Sequence, residues 1–188
     1  KGNKNKKDFE FQNAEDCFGK RLKYKKTIQN YEPKDWIGET FTIHSYKDRD
    51  EIIVQMNDWL VFLGIWYAEG CCSKGTIHIA AHKPRVKKAL EHVIQNMGFK
   101  LNIRPSDKNA WTISNVQLAQ VMEPLSVGAP HKKLPEWVWN LNKEQSQLLL
   151  TSMMLGDGYI NKSNANLYYT SSEQLADDVS HLCLHAGW

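Results

Sequence analysis

Cysteine is scarce and scattered. Cys17, Cys71, Cys72 and Cys183 form neither a CxxC pair nor an even spacing, which speaks against a disulfide frame or a cysteine zinc site and leaves reduced thiols. Long apolar runs are missing too. The two strongest last about a dozen residues and each ends in an acid, too short to span a bilayer. The lysine-rich N-terminus has no apolar core behind it, so a signal peptide is not expected. An intracellular setting follows, with cytoplasm and nucleus undistinguished. Net charge is also small, +3 over 188 residues, so total charge says little about partners.

Charge distribution says more. Between Lys1 and Lys34 the basic residues (Lys1, Lys4, Lys6, Lys7, Lys20, Arg21, Lys23, Lys25, Lys26 and Lys34) outnumber the acids two to one. Residues 1–50 read as a basic segment, either a solvated linker or an arm on a nucleic-acid backbone.

One pattern occurs twice. Trp59 to Gly70 and Gln147 to Gly158 are apolar runs with a small residue at the middle, Gly64 or Ser152, closed by small residue, acid, glycine. Each reads as a buried helix with a carboxylate, Glu69 or Asp157, at its exit. The surrounding elements repeat as well. Glu39–Tyr46 alternates as a strand. Asn57 or Asp58 is placed to cap the first helix, and Gly70 to end it. Thr76–Ala81 reads as a strand. A helix begins at Pro84, with Val86, Leu90, Val93, Ile94 and Met97 on one face, and stops at Gly98.

A hairpin at 101–113, a short helix at 116–122 and another through Trp137 and Trp139 follow, before a capping-box pattern at Asn142 and Gln145. After the second run come a hairpin around 161–165 and a helix with Leu175, Val179, Leu182 and Cys183 on one face. The stop Gly98–Phe99 recurs as Gly187–Trp188. The offset between the acids equals that between the stops to within one residue, so the chain reads as an internal duplication.

Two such units packed through their first helices place one acid from each half near a pseudo-twofold axis. Gly64 and Ser152 would allow the helices to approach closely. Each carboxylate stands at a helix C-terminus, where the dipole favours a cation, and the pair repel unless positive charge lies between them. A hard divalent cation, Mg²⁺, meets both conditions. The plainer alternative is that Gly156-Asp157-Gly158 is an ordinary turn and the small residues are core.

The runs Phe62–Gly70 and Leu150–Gly158 resemble the two signature helices of LAGLIDADG homing endonucleases, especially those of inteins. The penultimate position of that motif, occupied here by Glu69 and Asp157, is the catalytic acid of the family. Ser171–Val179 with Leu184–Trp188 is similar to the helix that follows the second signature. Lys132-Lys133-Leu134-Pro135 resembles the family's basic block, which implies a catalytic Lys132. The resemblance covers about residues 50–188. Glu in place of Asp, Ser152 in place of glycine, a second repeat that stops early and the lack of splicing-block residues depart from the pattern, and suggest a fragment of an intein or a free-standing relative.

The resemblance implies an α+β fold, a pseudo-twofold pair of αββαββα repeats with the second truncated, divided at 51–134 and 135–188. It implies a monomeric, site-specific double-stranded DNA endonuclease. Mg²⁺ would be held by Glu69 and Asp157 with the carbonyls of Ala68 and Gly156, while Lys132 offsets phosphate charge. Lys74, Thr76, His78, Lys100, Asn102, Arg104, Trp111, Thr112, Asn161, Lys162 and Tyr168 would line the major groove. For Lys132 the plain reading is a surface lysine in a basic loop. The rival functional reading is a non-cutting module that binds DNA as a regulator or RNA as a maturase; a third makes the duplication purely architectural, with the acids as solvated caps. His181 and His185, four apart on a predicted helix, have a spacing that can bind zinc, but no Glu completes an HExxH pattern.

Overall fold

The computed structural model describes residues 12–22, 33–160 and 166–188. A single short turn of helix, α1 (Ala14–Cys17), precedes the body. There, β1 (Thr40–Ile43) pairs antiparallel with β2 (Ile52–Gln55), so this hairpin straddles residue 50. The chain then enters α2 (Met56–Glu69) with no side-chain cap. Asn57 and Asp58, expected as caps, lie inside the helix. Trp59, Leu60, Phe62, Leu63, Ile65 and Trp66 are all fully buried. A helix apolar on every side can only be central, and α2 is the axis of the core.

From α2 the chain passes directly into β3 (Gly70–Ser73), then β4 (Thr76–Ala80), α3 (Pro84–Asn96), β5 (Leu101–Arg104), β6 (Asp107–Ile113) and α4 (Val116–Met122). The four strands form one antiparallel sheet in the order β3-β4-β6-β5. Register pairs Ile77 with Ile113 and Ile79 with Trp111, and all four are buried. The intervening His78 and Thr112, paired with each other, stand on the opposite face, as the two-residue pleat demands. Gly70 does not end α2 by a left-handed turn: its φ is −116° and it starts a strand at once. A side chain there would meet the Trp66 ring, so the glycine is required by packing.

Three 3₁₀ turns, at Glu123–Leu125, Ala129–His131 and Glu136–Asn140, lead to α5 (Lys143–Asp157). The capping box forms at its start, with the Gln145 N–H donating to Asn142 Oδ1 at 2.8 Å and the Asn142 N–H to Gln145 Oε1 at 3.1 Å. The hairpin of β7 (Gly158–Ile160) and β8 (Asn166–Tyr168) and then α6 (Glu173–His185) follow. The two long second helices stop alike. Gly98 and Gly187 have φ of +75° and +77°, and the next residues, Phe99 and Trp188, return N–H bonds to Ile94 and Cys183 at 3.0 and 2.9 Å. These are six-residue closures around a left-handed glycine.

The α2–α5 pair is tight at its crossing. A Cβ placed on Gly64 would lie 2.6 Å from the Ser152 Cβ and 2.9 Å from the Met153 backbone nitrogen. Near the helix exits, one on Gly156 would meet Ala68 and the Glu69 side chain.

The expected pair of αββαββα repeats is nonetheless corrected. The described residues form six helices and three separate open sheets of two, four and two strands. The hairpin β1–β2 joins a strand from the leading segment to one at the start of the first unit and has no counterpart before α5 among the described residues. Among the described residues the second copy has one two-stranded hairpin where the first has a four-stranded sheet, so the two copies do not present matching sheets. Among the described residues no helix is long and apolar enough to cross a membrane.

Candidate functional site

The exits of α2 and α5 lie side by side and carry Glu69 and Asp157. Basic side chains from the start of α3 and from the loop that precedes the last 3₁₀ turn converge on them. Lys83, which precedes α3, sits with its Nζ 3.7 Å from Glu69 Oε1 and donates to the Gly156 carbonyl. Arg85 Nε donates to the Leu155 carbonyl at 2.8 Å. Lys132 Nζ donates to the Tyr67 and Gly70 carbonyls at 2.7 and 3.2 Å and lies 5.1 Å above the Trp66 ring. The last carbonyls of a helix lack intrahelical partners and carry the negative end of its dipole. Here lysine and arginine meet both needs, Lys132 on α2 and Lys83 with Arg85 on α5.

Burial leaves these charges at a disadvantage. It pushes the Asp157 carboxyl above its ordinary range, and the neighbouring Glu69 adds to this while Lys83 and Lys132 oppose it. It likewise pushes the Lys132 ammonium below its ordinary value, against the attraction of Asp157, Cys71 and Glu69. The Tyr67 hydroxyl is driven upward by burial and then by Asp178.

Lys132 is no loose surface lysine. The backbone of three successive residues is gripped from both halves of the molecule. Ser172 Oγ donates to the Lys132 carbonyl at 2.6 Å, the Tyr67 hydroxyl to the Lys133 carbonyl at 2.7 Å, and the Leu134 N–H to Asp178 Oδ2 at 2.7 Å. Gln174 Nε2 holds the other Asp178 oxygen at 2.8 Å, and Ser172 also caps α6. Lys83, Arg85, Tyr67, Ser172 and Asp178 are absent from the sequence-based site. Ser172 ahead of an apolar-periodic helix was a readable cap signal; an acid at 178 between the core positions Leu175 and Val179 was the readable sign of a buried partner.

The residues expected to line a groove are divided by the sheet. His78, Thr112 and Asn102 share a row on the outer face by register, with His78 Nε2 3.3 Å from Ser73 Oγ. Lys74, Lys100 and Arg104 are exposed, and Thr76 is partly so. Trp111 is not on that face. It is 2% exposed in the core, with its Nε1 donating to the Lys108 carbonyl at 2.9 Å, since consecutive strand residues point to opposite sides. Tyr168 is largely buried, and burial drives its hydroxyl pKa upward. Asn161 and Lys162 lie outside the described residues.

No family model matches this chain. Two curated proteins are similar to it. The "ATP-dependent Clp protease proteolytic subunit" of Chlamydomonas moewusii is 36% identical over 195 residues, 93% of this chain and 19% of that protein. The "DNA-directed RNA polymerase subunit beta C-terminal section" of Stigeoclonium helveticum is 32% identical over 234 residues, 96% of this chain and 21% of that protein. The chain thus spans about a fifth of the length of each.

These findings overturn the endonuclease reading. The resemblance to LAGLIDADG homing endonucleases finds no support in a family match, and the relatives carry the names of a protease subunit and a polymerase subunit. Double-stranded DNA as partner, DNA cleavage as activity, and the non-cutting nucleic-acid module offered as rival are set aside with it. The Mg²⁺ site fails on its donors. Among the described residues no group of three or more His, Cys, Asp or Glu is placed to hold a metal ion. The Gly156 carbonyl, expected as a ligand, accepts from Lys83 instead, and the positive charge that the two carboxylates require is supplied by ammonium groups.

Proposed function

We propose that this chain is a discrete domain carried within longer polypeptides, distinct from the reaction centres of the proteins that carry it. The observation that supports this is the pattern of the two matches: nearly all of this chain corresponds to about a fifth of each of two proteins whose names denote different machines. Peptide hydrolysis and RNA synthesis share no chemistry, so what the two have in common is the segment and neither named activity. A basic leading segment (1–50) and two units, 51–134 and 135–188, make up the domain on this reading.

Within it, Glu69, Asp157 and Lys132 are proposed as the functional residues. Burial disfavours the charged forms of both Lys132 and Asp157 while each attracts the other, and ionisable groups perturbed in this way cluster at functional sites. The test is the isolated chain. It is expected to unfold cooperatively and to show neither hydrolysis of peptides nor templated RNA synthesis. Either activity, or a chain that fails to fold without flanking sequence, would refute the proposal.

A further inference from the structure

The hairpin β7–β8 turns two tyrosines outward beside Asp157. Gly158 pairs with Tyr168 and Tyr159 with Leu167, and the Tyr169 N–H donates to the Asp157 carbonyl at 3.2 Å, so the pleat sends Tyr159 and Tyr169 to the face opposite Tyr168. Tyr168 is largely buried. Tyr159 and Tyr169 are 51% and 61% exposed. With Lys83, Gly156, Asp157 and Gly158 they line an open cavity of about 380 Å³.

Asp157 is the uncommitted charge of that cavity. Lys83 shares it, but its ammonium donates to the Gly156 carbonyl and sits 3.7 Å from Glu69 Oε1. Among the described residues no hydrogen bond and no ion pair reaches the Asp157 carboxyl. Lys83 and Lys132 act on it only through space, and burial together with the charge of Glu69 outweighs them. A partly buried carboxylate in this position gains from a further cation. The tyrosines indicate which kind, because aromatic faces attract organic cations that shed water readily. Guanidinium is planar, weakly hydrated and able to stack on such rings while offering two parallel N–H groups to a carboxylate; an ammonium is a compact, strongly hydrated point charge.

We propose that the cavity between Asp157, Tyr159 and Tyr169 binds a guanidinium group, with the carboxylate accepting its N–H pair and the tyrosine rings packing on its faces. An arginine side chain in a peptide and a small arginine derivative present the same chemistry. The inference rests on the reading of Asp157 as a functional residue and gives that residue its ligand.

The experiment is calorimetric titration of the full chain near neutral pH with Nα-acetyl-argininamide, beside the neutral citrulline isostere, the lysine analogue and an acetylated glycyl-arginyl-glycine peptide. Saturable binding of the arginine derivative is expected, at least about tenfold tighter than that of the citrulline one. Asp157→Asn should lose at least about tenfold, and Tyr159→Leu and Tyr169→Leu about two- to fivefold each. Tyr169→Phe keeps the ring face and should hold wild-type affinity. Both tyrosines are exposed, so these variants keep the fold, which an unchanged Tm checks. Tighter binding of the peptide than of the free amide assigns the ligand to a polypeptide, and equal binding assigns it to a small molecule. No saturable binding, a citrulline or lysine derivative bound as tightly, or full affinity in Asp157→Asn or in both leucine variants would each overturn the assignment. Cooperative unfolding and the lack of peptide hydrolysis and RNA synthesis are measured without these ligands, so this proposal can fail while the proposed function stands.

Discussion

Replacing Gly64 with alanine adds one methyl group at the point where α2 and α5 are closest. That carbon would lie 2.6 Å from the Ser152 Cβ, 2.9 Å from the Met153 nitrogen and 3.0 Å from the Leu149 carbonyl oxygen. Two of the three neighbours are backbone, so no rotamer change relieves them and the helices must separate. Overpacking of this kind costs about 1–3 kcal/mol. Rigid neighbours place Gly64→Ala in the upper half of that range, despite the better helix propensity of alanine. For a chain of this size each kcal/mol moves Tm by about 2–4 °C, so a fall of about 4–12 °C is expected, with a lower urea midpoint at unchanged slope. Ser152→Gly in the same background removes the nearest contact and leaves the backbone ones, so it should restore part of the loss. Coupling between the sites is expected to exceed about 0.5 kcal/mol, as for residues in direct contact. A Gly64→Ala protein within about 0.5 kcal/mol of the wild type, below the least cost of overpacking, would refute the close crossing on which the whole charged site depends.

Gly98→Ala gives the opposite kind of defect: its φ is +75° and its surroundings are open, so only left-handed strain is expected, about 1–2 kcal/mol by chemical denaturation. Asp178→Ala leaves the buried Leu134 N–H without its acceptor and should cost about 1–3 kcal/mol; proteolysis near Lys132 should quicken in parallel. For Asp157 the folded carboxyl titrates above its ordinary value of 3.8. Its protonated form therefore contributes stability that is present below that value and is lost as pH rises through the folded pKa. Asp157→Asn should accordingly have the higher Tm at pH 7, with the difference vanishing in acid; a variant less stable than the wild type at neutral pH would contradict the direction of the shift.

Much of the local structure was legible because it is decided by neighbours in the chain. The capping box at Asn142 and Gln145, the glycine stops at 98 and 187, and the faces of α3 and α6 each rest on contacts spanning a few residues, which spacing exposes. The approach of Gly64 to Ser152 was legible too, since small residues in apolar runs have few uses. The surroundings of the acids were not. Lys83 and Lys132 reach them from loops whose paths depend on the completed core, and the grip on residues 132–134 joins side chains from α2 and α6. Groove-facing roles assigned to both Trp111 and Thr112 ignored the pleat, and register settled which of them is core. By itself, then, the sequence determined the long helices, the ends of α3, α5 and α6 that local caps and glycine stops set, and the two carboxylates at the exits; the start of α2, which has no side-chain cap, it did not. Only the tertiary structure decided that those carboxylates are answered by ammonium groups, because a charge in low dielectric is balanced by whatever the fold brings within a few ångströms, regardless of separation along the chain.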